Sequence, residues 1–66
     1  MIELLKTTDP VRLHVIKTAL EQAGLHPVVV EASAYPGVLP MRLLLTDDEA
    51  ILGRRLMAEV EKDLGE

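Results

Sequence analysis

Asp47, Asp48 and Glu49 stand side by side in the stretch LLLTDDEAIL, the densest group of hard oxygen donors in the chain. Adjacent carboxylates are what Mg²⁺ or Ca²⁺ takes as ligands. These also open a helical pattern directly after Thr46, where Glu49 is placed for a capping box and an acidic first turn suits the helix dipole. That reading accounts for the whole group without an ion. His14 and His26 are twelve residues apart with no carboxylate at ligand spacing, which leaves no zinc site. Ser33 has no activating motif and no histidine placed to serve as its base. Gly24, Gly37, Gly53 and Gly65 are scattered singly, so no loop is built to cradle phosphate. Arg54 and Arg55 fall on a helical stretch with Glu59 four residues after Arg55, the pattern of a solvated face. The chain is therefore expected to be no enzyme, with no catalytic residue, cofactor or metal.

The residues left to do something are those that recognise partners. Tyr35 is the only aromatic side chain, and it lies in the segment SAYPGVLP, residues 33 to 40. Tyrosine is enriched at interface hot spots. Pro36 and Pro40 stiffen the segment, Gly37 permits a tight turn, and Val38 and Leu39 add apolar area that a solvated loop does not need. With Arg42 just beyond, Tyr35, Pro36, Gly37, Val38 and Leu39 form the expected partner-binding loop. The rival use of the ring is to fold back over the sheet edge.

The elements that position this loop follow from spacing. IELLK, closed by TTDP, reads as a strand over residues 2 to 7. DPVRLHVIKTALEQAG carries Leu13, Ile16, Leu20 and Ala23 on one helical stripe, with Asp9 as N-cap, Pro10 at the first helical position and Gly24 as terminator. HPVVVEA gives a strand at residues 27 to 32 and MRLLLT another at 41 to 46. A second helix starts at Thr46 or Asp47. Leu52, Leu56, Val60 and Leu64 step by four along it, with Met57 beside them, and Gly53 in the same arc marks a close approach to the sheet.

The order β-α-β-β-α, with a right-handed crossover between the first two strands, makes those two parallel and the third antiparallel to both. The expected fold is α+β: a ferredoxin-like, PII-like plait lacking its last strand, with two helices on one face of a three-stranded sheet. Strict alternation then turns Ile2, Leu4, Val28, Val30, Met41, Leu43 and Leu45 toward the helices. The opposite face shows Leu5, Val29 and Leu44, rimmed by Glu3, Glu31 and Arg42. An apolar centre with a charged rim is the composition of an interface, so Leu5, Val29 and Leu44 are the expected oligomer contact.

Composition narrows the partners. Sixty-six residues are expected to form a single domain, 1–66, and a chain this short buries only about 60% of its unfolded surface. With no cysteine to cross-link it, a second copy is the cheapest supplement to its core. Eleven acidic residues against seven basic ones give a net charge of −4, and with one aromatic ring this argues against nucleic acid. The runs PVVV and LLL are far short of the roughly 20 residues of a membrane span. No signal-peptide pattern precedes MIELLKT. The expectation is a soluble, cytoplasmic protein.

IELLKTTDPVRL, LEQAGL, GVLPMRLLLTDDE and GRRLMAEV, in this order, resemble the putative prokaryotic signal-transducing protein family, a small bacterial domain of unknown function. The likeness runs over nearly the whole chain, and the Leu-Pro-x-Arg of residues 39 to 42 is among its most telling pieces. The resemblance implies a fold similar to the P-II nitrogen-regulatory signal proteins. In those, a long loop between the second and third strands contacts protein partners and the sheets pack inward in an oligomer. Their effector chemistry does not carry over, because no nucleotide-binding Gly-Arg pattern is present and the last strand is missing. The expected function is a non-enzymatic interaction module with a regulatory or signal-transducing role, working as a homo-oligomer toward an unidentified protein partner. The alternative is a domain that senses a small metabolite.

Overall fold

The computed structural model describes residues 1–31 and 39–64. Its elements run β1 (Ile2–Thr7), α1 (Pro10–Gln22), β2 (Val28–Glu31), β3 (Met41–Leu45) and α2 (Asp47–Leu64). The three strands form one sheet in the order β1-β3-β2, and β3 pairs antiparallel with both neighbours. The expected α+β, ferredoxin-like arrangement is therefore the one observed. Both helices pack on the face to which Met41, Leu43 and Leu45 point, and the 15 Å short axis is that of one helical layer on one sheet.

β3 alternates buried and accessible residues along Met41–Leu45, the signature of a strand with one face in the core. Leu43 and Leu45 are fully buried with Ile16 and Leu20 of α1, and Leu4, Leu5, Leu13, Met41 and Ala50 complete the core. β1 breaks the alternation. Glu3 pairs with Leu44 and Leu5 with Leu43, so Leu4 is an extra residue on β1, a bulge that turns both Leu4 and Leu5 inward.

α1 begins where its sequence says it should. The N–H groups of Val11 and Arg12 donate to Asp9 Oδ1 at 3.0 and 3.3 Å, and Asp9 N–H donates to Thr7 Oγ1 at 3.0 Å. At the other end Gly24 adopts φ 87°, where a Cβ would be strained. Gly24 N–H then donates to the Glu21 carbonyl at 3.0 Å and Leu25 N–H to the Leu20 carbonyl at 3.1 Å. Those two bonds are a Schellman closure, and Leu25 packs back on the core as that motif requires. Ala23, expected on the buried stripe, is instead the exposed C-cap.

α2 buries Ala50 and Gly53, with Leu56, Met57 and Val60 half-buried below them, while Leu52 is exposed. The inward stripe thus starts at Ala50 rather than Leu52. It does so because Gly53 sets the approach: a Cβ there would run into Leu45 Cδ1 and lie 3.2 Å from Leu4 Cδ2.

Two outcomes follow from this packing. Asp9→Ala should lower stability by about 1 kcal/mol through loss of the cap, read as the urea midpoint shift at constant m-value. Gly53→Ala gains helix propensity but overpacks against a fully buried Leu45, and a net loss of about 1–2 kcal/mol is expected in the same titration. A gain in stability would mean that α2 does not rest on Leu45 as described.

A candidate interaction surface around β2

Neither helix packs on β2. Both lie over β1 and β3, and among the described residues β2 is held to the rest of the sheet by β3 alone. The cause is width: α1 and α2 cross the strands that carry Leu4, Leu5, Leu43 and Leu45, and the outermost strand projects past them. Among the described residues β2 therefore has an open edge and two incompletely covered faces.

The face away from the helices is read from the ladder, since directly paired residues share a face. Glu3, Leu44 and Val28 make one row across it, and Lys6, Arg42 and Val30 make the next. Val28 is 44% and Val30 37% exposed, large values for valines inside a strand. Arg42 Nε lies 3.9 Å from Glu3 Oε1, so the charges on this face are of both signs and interleaved.

This arrangement corrects the expected one. Leu5 is in the core, and Val29, paired with Leu43, packs against that core rather than on the open face. Only Leu44 keeps its expected side, and Val28 and Val30 take the places given to Leu5 and Val29. Glu31, expected on the open rim, pairs with buried Met41 and faces the helical side. The reasons are the β1 bulge, which alternation counting cannot see, and the identity of the three valines, which offers no polar contrast to mark a face.

On the helical side the projection of β2 leaves a groove of about 300 Å³. Pro10, Leu13, His14 and Lys17, one stripe of α1 at helical spacing, form one wall, and Val29, Glu31 and Met41 form the other. Its floor is apolar, its α1 wall carries an imidazole and an ammonium, and its β2 wall carries a carboxylate. Lys17 Nζ also lies 3.7 Å from Glu21 Oε2, one turn further along α1. The sequence reading missed His14, Lys17 and Glu31 as a group, although the spacing of residues 10, 13, 14 and 17 was a signal that could have found the wall.

The remaining sequence candidates are dispersed. Glu49 does not complete a capping box: it turns to the α1–β2 connection, where Oε1 accepts from His26 N–H at 3.0 Å and Oε2 lies 3.0 Å from His26 Nδ1. Those bonds hold the Glu49 carboxyl below its ordinary value. The Asp48 carboxyl is lowered too, first by the Thr46 side chain and then by backbone N–H groups. Among the described residues no group of three or more His, Asp or Glu side chains is gathered for a metal. Arg54 and Arg55 are exposed, and Arg12 pairs with Glu61 to link α1 and α2. Among the described residues no helix is long and apolar enough to cross a membrane. Tyr35, Pro36, Gly37 and Val38 lie outside the described residues, while Leu39 is exposed just before β3 and Arg42 is exposed on it.

The described residues thus form a two-layer β-α-β-β-α plait of α+β class in which, among those residues, β2 is an edge strand that neither helix covers. This chain belongs to the family described as putative prokaryotic signal transducing protein, whose pattern it matches over residues 1–61. No curated protein and no solved structure matches it.

The His26–Glu49 contact gives a measurable pH effect. The folded carboxyl is lowered, so its contribution is present above the unfolded value and is lost as pH falls through the folded one. Glu49→Gln should therefore remove part of the acid-side loss of stability, flattening the profile of urea midpoints below about pH 5. An unchanged slope would mean that the tether carries no stability.

Proposed function

We infer that the protein is a non-enzymatic interaction module of a signalling pathway and that it works as a homo-oligomer. The observation that carries this is β2, a strand with an open edge, exposed Val28 and Val30 on one face, and an incompletely filled groove on the other. A short chain gains from covering such a strand, since burying apolar area stabilises it by about 25 cal/mol per Å². The family description supports the signalling role. Charges of both signs around Leu44, Val28 and Val30 support self-association, because such a surface is compatible with a copy of itself about a two-fold axis. Tyr35, Pro36, Gly37, Val38, Leu39 and Arg42 are then the residues proposed to meet a different protein.

Light scattering across the micromolar range tests the reading. A mass at least twice 7.3 kDa is expected, and Val30→Lys should shift it toward the monomer. A wild-type monomer at high micromolar concentration would overturn it. The groove supports a second reading, a small-metabolite sensor, because it sets cationic and anionic side chains around an apolar floor. That reading expects a compound in a metabolite panel to raise Tm, and His14→Ala or Lys17→Ala to abolish the rise.

A further inference from the structure

We propose that the second copy pairs through β2, antiparallel and two-fold about Val30, giving a six-stranded sheet in which each Glu31 enters the partner's α1 groove; this rests on the homo-oligomer reading above. The choice of edge comes from comparing β2 with β1, the two outer strands. β1 carries a bulge between Glu3 and Leu5 and a lysine, Lys6, both of which discourage strand addition. β2 has neither a bulge nor a lysine, and Pro27 precedes it rather than interrupting it.

The register comes from faces and charge. If like faces are to continue across the junction, a two-fold antiparallel pair must centre on a residue, not between two residues. Centring on Val30 sets Val30 beside the partner's Val30 on the open face and Val29 opposite the partner's Glu31 on the helical face. β1 ends at Thr7, which pairs with Met41, and Met41 pairs with Glu31, so α1 starts from the Glu31 end of the groove. Lys17 lies about 10 Å further along α1 than Pro10 at 1.5 Å per residue, toward Val29. Moving a carboxylate from the Glu31 position to the place opposite Val29 therefore brings it toward Lys17 and His14. Each groove gains an acid where its own chain supplies bases, and the two grooves meet about the axis. Centring on Val29 would instead set the partner's Glu31 opposite Pro27, which does not line the groove.

The test is a trans charge exchange. Glu31→Lys alone and Lys17→Glu alone should each weaken the dimer about tenfold or more, which is about 1.4 kcal/mol. An equimolar mixture of the two variants should regain the dimer mass. In the mixed dimer the unaltered Lys17 of one chain meets the unaltered Glu31 of the other, and the introduced ammonium meets the introduced carboxylate. Circular dichroism of each variant checks that α1 still folds. The chain has no cysteine, so introduced thiols report contacts cleanly. Val30→Cys should form a disulfide-linked dimer under mild oxidation, since cross-strand Cα separations of about 4.5–5.5 Å suit the bond. Lys6→Cys, on the other edge, should not. A wild-type dimer whose mixed variants stay apart, or which links through Lys6→Cys or Val29→Cys in preference to Val30→Cys, overturns the β2 pairing and leaves the oligomer standing. A wild-type chain that is monomeric throughout removes both.

Discussion

β3 is the constraint on which everything else depends. Among the described residues it is the only strand with a hydrogen-bonded neighbour on each side, and it places Met41, Leu43 and Leu45 beneath both helices. Leu43 and Leu45 meet Ile16 and Leu20 at zero exposure, so the two halves of the chain are joined through one strip of aliphatic side chains. A core made of a single strip has no spare width. Two helices can be seated on it only if they crowd toward β1 and β3, and Gly53 shows how close α2 comes. The uncovered state of β2 is the other side of that crowding.

The polar contacts reinforce the same plan at its margins. Asp9 starts α1, a Schellman closure at Gly24 ends it, and Glu49 reaches from the first turn of α2 to hold His26 just before β2 begins. Arg12 and Glu61 tie the helices on their outer side. These are exposed contacts, each of small energy. Their effect is to set direction: His26 is fixed two residues before β2, so the strand enters the sheet at a defined height even though no helix presses on it.

What the sequence made legible was whatever local chemistry decides. Asp9-Pro10 and Gly24 bound α1 without reference to the rest of the fold, and the relative directions of the strands followed from the crossover between the first two. β3 could be read because an arginine alternates with its inward leucines and methionine. β2 could not, because Val28, Val29 and Val30 are alike and only the ladder to Leu44, Leu43 and Arg42 assigns their faces. β1 misled for a different reason: Leu4 and Leu5 both turn inward at a bulge, and a bulge is a property of the pair of strands rather than of either one. The spacing of residues 10, 13, 14 and 17 marks one stripe of α1, but that His14 and Lys17 of this stripe face a groove becomes legible only once β2 is known to project beyond the helix.

These features bear on one another through stability. A strand secured by one ladder, with two exposed valines, has less free energy holding it than β1, which has β3 on one side and both helices above. Any contact that covers β2 therefore stabilises the weakest element of the sheet, and by mass action the association and the ordering of that element reinforce each other. The crowding of both helices over β1 and β3 that completes the core is what leaves β2 uncovered among the described residues, so the packing of the core and the exposure of that strand are one physical fact.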